Sequence, residues 1–101
     1  VPEARFDEVI HAPVRLRICG LLRRVDGMDF GVLRDTLSVT DATLSKHLKT
    51  LTDAGYVTLK KSASLARSDA RRMTWVGLTA DGRSVFDAHI LALREIAGSV
   101  E

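Results

Sequence analysis

Lys46 and Lys49 stand three residues apart, with Thr43 and Ser45 just ahead of the first. Small hydroxyls and flexible cations at that spacing can reach base edges and phosphate oxygens. A second set lies downstream. Lys60, Lys61, Arg67, Arg71 and Arg72 cluster in the sequence, opposed only by Asp69. Such a cluster can neutralise phosphates and release their counterions. Bond-making chemistry has no visible machinery: there is no phosphate loop, no nucleophile beside a base, and no paired carboxylates in an apolar setting. The chemistry on offer is therefore binding, and its natural object is a polyanion.

These residues need elements to hold them. At 100° per residue, Leu44, Leu48 and Leu51 fall on one narrow apolar stripe, with Ala42, Lys46, Lys49 and Thr50 roughly opposite. Thr40 stands where an N-cap belongs, Asp41 complements the helix dipole, and Gly55 is the expected C′ stop. Periodicity alone suits an ordinary amphipathic surface helix equally well. The preceding segment narrows the choice. Gly31 to Leu37 predicts a short helix with Val32, Leu33 and Leu37 inward, and Ser38-Val39 is a tight turn between the two. Helices joined so briefly must cross steeply, as in a helix-turn-helix.

After Gly55 the period changes from helical to alternating. Tyr56 to Lys60 predicts a strand, Ser62 to Asp69 a small polar loop, and Arg72 to Leu78 the returning strand. A hairpin directly after a helix-turn-helix has the parts of a winged helix, with the basic cluster around the wing. Thr79 is the expected N-cap of a final helix running to near Gly98. Its apolar residues exceed what one small domain can cover, which suggests a partner chain.

Upstream, Phe6, Val9 and Ile10 predict a short helix from Glu3 to about Ile10. Pro13 interrupts it, so a break is expected near His11-Ala12 and a second helix from Pro13 to about Val25. Arg15, Arg17, Arg23 and Arg24 are expected outside. Asp26-Gly27 is a turn, and Met28-Asp29-Phe30 leaves room for a brief edge strand.

The totals fit one domain of 101 residues. Basic residues exceed acidic ones by only two, so distribution and not net charge carries the argument. The single cysteine, Cys19, excludes an intrachain disulfide and suits a reducing compartment. It is expected to be a small buried apolar residue. No apolar run reaches the length of a membrane span and no signal peptide is visible, so a soluble cytoplasmic protein without membrane contact is expected. A start at Val1 reads as a trimmed chain, which weakens the second absence.

Several segments, in order, resemble winged-helix transcriptional regulators of the MarR/ArsR type. Pro13-Val14-Arg15-Leu16-Arg17-Ile18 with Leu21-Leu22 is similar to the Pro-x-Arg-Leu-x-Ile helix of ArsR-type proteins. Leu44-Ser45-Lys46-His47-Leu48-Lys49 with Leu51 and Gly55 is similar to the recognition helix of the group. Asp69-Ala70-Arg71, then Leu78-Thr79-Ala80-Asp81-Gly82-Arg83, resembles the MarR wing and its exit. The resemblance implies a homodimer whose recognition helices enter major grooves of a pseudo-palindromic site, with Arg71 as wing arginine and Asp69 orienting it. It also implies dimerisation through the first and last helices, which would use Phe6, Val9, Ile10, Val85, Phe86, His89, Ile90, Leu93 and Ile96.

Asp87-Ala88-His89 resembles half of an ArsR metal site. Its other half would need a histidine near the position of Val100, so no metal and no cofactor is expected. His47 flanks the leucine stripe and reads as a packed, hydrogen-bonded residue. A small-molecule effector could bind at the dimer seam near Trp75, Phe86 and His89, although core packing suits Trp75 and Phe86 better.

The fold expected is mainly α with a small β-hairpin wing (α+β), a winged helix-turn-helix with terminal dimerisation helices. Residues 31–54 form the helix-turn-helix, 56–78 the wing, and 1–25 and 80–98 the dimerisation helices. The function expected is sequence-specific binding of double-stranded DNA by a homodimeric repressor. Thr40, Ala42, Thr43, Ser45, Lys46, Lys49 and Thr50 would serve the recognition helix; Lys60, Lys61, Arg67, Asp69, Arg71 and Arg72 would serve the wing. The alternative is a winged-helix module that binds protein and not DNA, against which Lys46, Lys49 and the basic wing argue.

Overall fold

Pro13 divides the start of the chain as its missing N–H requires. In the computed structural model, which describes residues 3–63 and 72–98, α1 spans Glu8–His11 and α2 spans Pro13–Leu22, with the proline at the first helical position. β1 (Met28–Asp29) follows, then α3 (Phe30–Leu37), α4 (Asp41–Asp53), β2 (Val57–Ala63), β3 (Arg72–Leu78) and α5 (Ala80–Ile96). The strands form one antiparallel sheet in the order β1-β3-β2. This is the expected winged helix, with the brief edge strand present.

The helix ends follow local chemistry. Thr40 accepts from the Thr43 amide at 3.1 Å, and Thr79 accepts from Gly82 at 2.9 Å. Gly55 takes φ +83°. Its amide donates to Thr52 O while Tyr56 N donates to Leu51 O, the paired bonds of a Schellman stop. Gly82 matters for a different reason: a Cβ there would collide with the backbone carbonyl of Tyr56. That close approach lets α5 start directly against the end of α4.

The core gathers Ile10, Ile18, Cys19, Leu22, Leu33 and Leu37 with the α4 stripe Leu44, Leu48 and Leu51, closed by Val57 and Val76. Cys19 is buried as expected, and burial beside Asp7 pushes its thiol up to about 12, so it stays protonated.

Several sequence expectations need correction. The segment from Glu3 is not helical before Glu8, because Asp7 caps α1 by accepting from Ile10 N at 2.9 Å. The residues ahead of it run along α5, where Arg5 N donates to Ala88 O at 3.0 Å. The second helix ends at Leu22, short of Val25. Strand β2 starts at Val57, after Tyr56, and runs through Ser62 and Ala63, which were expected to loop. Val32 is 54% exposed, since α3 turns only Leu33 and Leu37 inward. Trp75 is 44% exposed, because it lies on the face of the sheet away from Val76 and the helices. Ile10 and His89 are wholly buried within the single chain, so neither can offer a face to a second one. Arg15 and Arg23 are only half-exposed, each drawn into contacts with another helix.

Candidate nucleic-acid interface

Burying Leu44, Leu48 and Leu51 turns the opposite side of α4 to solvent. Ala42, Ser45, Lys46 and Lys49 are exposed there; Thr43 and Thr50 flank them half-buried. The hydroxyls are not equally available. Thr40 is engaged as the cap and also donates to Thr43 Oγ1 at 3.0 Å, and Thr50 bonds back to Lys46 O at 3.3 Å. The two lysines differ as well. Lys49 Nζ pairs with Asp53 at 3.0 Å, one helical turn on. Lys46 makes no ion pair among the described residues.

Strand alternation divides the wing lysines. Lys61 is opposite Thr74 in the register, and Lys60 is opposite Trp75, so the two occupy different faces of the sheet. Lys61 and Thr74, with Leu59, face Ser45, Lys49 and Asp53 of α4 across one open groove of about 510 Å³. The polar side of α4 and one face of the hairpin therefore front the same space. Lys60 and Lys61 are both exposed. Arg67, Asp69 and Arg71 lie outside the described residues, as does the side chain of Arg72, whose backbone opens β3.

Two contacts that hold α4 have no local sequence signal. Arg34 in α3 donates to Asp41 at 2.8 Å and to Asp35 at 2.9 Å, joining α3 to the first residue of α4. These carboxylates hold the guanidinium firmly in its charged form. Arg15 in α2 donates through Nε to Val9 O at 2.5 Å and reaches His47 Nδ1 at 3.1 Å. Arginine has no acceptor, so His47 Nδ1 must carry the lone pair. Burial, with Arg15 and Lys46 nearby, lowers the His47 pKa from its ordinary value and keeps it neutral. His47 is thus the packed, bonded residue expected. Pairing positions across a turn or between helices follow no fixed period, which is why Arg15 and Arg34 escape a reading of spacing.

The half metal motif is otherwise employed. Asp87 takes two bonds from Arg23, at 2.9 and 3.1 Å, and His89 Nδ1 accepts from the Asp7 amide at 2.9 Å. Among the described residues no group of three or more His, Cys, Asp or Glu could hold a metal ion. The three residues considered for an effector occupy different settings. Trp75 is on the outer sheet face, Phe86 packs on the core, and His89 is buried.

Comparison with known proteins adds three findings. A family described as winged helix DNA-binding domain matches residues 14–97. Protein MJ0432 of Methanocaldococcus jannaschii, uncharacterised, is 30% identical over 94 residues, spanning 93% of this chain and 98% of that one. Two solved structures share the fold. One is a transcriptional regulator homologue from Pyrococcus horikoshii OT3, with TM-score 0.80 and 23% identity over 90% of this chain and 86% of that one. The other is MepR of S. aureus in a DNA complex, with TM-score 0.68 and 17% identity over 90% and 71% of the respective chains.

Proposed function

The chain belongs to the winged helix DNA-binding domain family, and from that premise we propose that it is a sequence-specific transcriptional regulator, a homodimeric repressor at a pseudo-palindromic operator. The observation that carries this reading is the shared groove: Ser45 and Lys49 of α4 front the same space as Lys61 of the hairpin. A duplex lying there would meet the recognition helix and the wing together. Ala42, Thr43, Ser45, Lys46 and Lys49 would enter a major groove, and Lys61 with Arg67, Arg71 and Arg72 would meet the flanking backbone and minor groove. Thr40 and Thr50 would act mainly through the shape of α4, since their hydroxyls are spent within it.

The partner face of the dimer would be built from α5 and the residues before α2. Ile96 is 69% exposed and Phe6 is exposed, while Val9, Val85, Phe86, Ile90 and Leu93 are partly covered. No helix among the described residues is long and apolar enough to cross a membrane.

Titration of a mixed-sequence duplex and of a genomically selected site across a salt series tests the reading. Affinity should fall linearly with salt on logarithmic axes, and the selected site should bind more tightly throughout. No binding to either duplex at low salt would favour the protein-docking alternative.

A further inference from the structure

Among the described residues His89 is the one buried polar side chain, and it is fully covered. Such a group needs partners for both ring nitrogens. Nδ1 accepts from the Asp7 amide at 2.9 Å, and Nε2 lies 3.4 Å from His11 Nδ1. An amide can only donate, so His89 Nδ1 carries a lone pair and the neutral ring holds its hydrogen on Nε2. That hydrogen then donates to His11 Nδ1. The direction of every bond in the row is fixed by its first member. The same logic opposes a metal between the two rings, which would need a lone pair on both nitrogens of a neutral His89.

The segment tied down by this row is the one that precedes α1. Arg5 N donates to Ala88 O at 3.0 Å, and the Phe6 ring lies 4.6 Å from the His11 ring and 4.8 Å from the His89 ring. Asp7 is the junction. One carboxylate oxygen caps α1 and the other accepts from Tyr56 Oη at 2.8 Å, immediately beyond the end of α4.

We propose that His89 is a proton-sensitive latch: while its ring is neutral it holds the segment from Glu3 to Asp7 against α5, and uptake of a proton by His89 releases it. A proton added to His89 lands on Nδ1 and faces the Asp7 N–H. That addition turns a donor–acceptor contact into donor against donor. Around His89, the Asp7 carboxylate favours the charged ring, whereas burial and His11 oppose it more strongly. Arg5 on the same segment bears on Tyr56, and the Cys19 thiol behind Asp7 in α2 stays uncharged. Release exposes α5 around Ala88 and His89 and takes away the partner of the Tyr56 phenol. The latch is independent of the DNA-binding reading.

Amide hydrogen exchange on the chain at about pH 7.5 and about pH 5.5, corrected for intrinsic rates, tests this. Protection at Arg5 and Asp7 should fall about tenfold or more on acidification while Leu48 and Leu51 keep theirs. In His89→Asn the side-chain carbonyl replaces Nδ1 and cannot titrate, so protection at Asp7 should no longer depend on pH. Equal protection of the wild type at both pH values overturns the proposal. So does a His89→Asn variant that loses protection on acidification as the wild type does. Imidazole nitrogen shifts of the unmodified protein give a check free of any variant: neutral His89 should carry its hydrogen on Nε2, and the opposite tautomer sinks the latch.

Discussion

Lys46 and Lys49 carry the same charge on the same face of α4, yet among the described residues only Lys49 has a carboxylate on its ammonium group, that of Asp53 at 3.0 Å. Lys46 can meet a phosphate or base edge at no cost in lost partners; Lys49 must first leave Asp53. Removing Lys46 (Lys46→Ala) should therefore weaken duplex binding and reduce the salt slope by about 1. Asp53→Asn should tighten it, by freeing Lys49 and deleting a repelling charge. Fluorescence anisotropy across salt measures both, and an unchanged slope in Lys46→Ala would remove that residue from the contact. The histidines make a second prediction at this scale. His47 and His89 are both lowered from the ordinary 6.5, each chiefly by burial. The unfolded chain thus binds protons that the folded chain refuses. Stability from these groups is complete above about pH 6.5 and is lost as pH falls below it. Urea midpoints should drop between about pH 7 and about pH 5, and a flat midpoint would contradict the assignment.

The elements are fixed by caps and turns, some readable and some not. Thr40, Thr79 and Gly55 act within one helical turn, so residue type and position reveal them. Ser38 is different. It takes φ 58°, the left-handed conformation, in the turn between α3 and α4. A non-glycine residue there costs energy that glycine avoids, offset in part by the entropy glycine loses on folding. The left-handed conformation costs an L-residue about 1–2 kcal/mol and glycine's extra entropy about 0.5–1 kcal/mol, so Ser38→Gly should stabilise the protein by about 0.5–1 kcal/mol, read as a higher denaturation midpoint with unchanged m-value. A lower midpoint would mean that the serine side chain holds the turn. The false start of α1 has the opposite origin. Phe6, Val9 and Ile10 have helical spacing, but Asp7 serves as a cap and its amide bonds to His89, 82 residues away. No local pattern announces such a partner.

In the whole molecule, α5 presents more apolar surface than the chain covers, with Ile96 the most exposed. If that surface meets its copy, Ile96→Glu should shift the sedimenting species from dimer towards monomer and weaken operator binding. Thermal stability of the monomer should change little, because an exposed side chain loses few contacts. Sedimentation that is unchanged would move the dimer face elsewhere on the chain.

Helix α4, its leucine stripe, its stop, the hairpin and the last helix were all written in the sequence, because each depends on contacts within a turn or between alternate residues. Burial and pairing between distant segments were not. Only the packed chain buries His89, turns Val32 and Trp75 outward, draws Arg34 to Asp41, and sets Lys61 across a groove from Ser45. Those outcomes depend on which surfaces meet, and periodicity records which side of an element is apolar without recording what will lie against it.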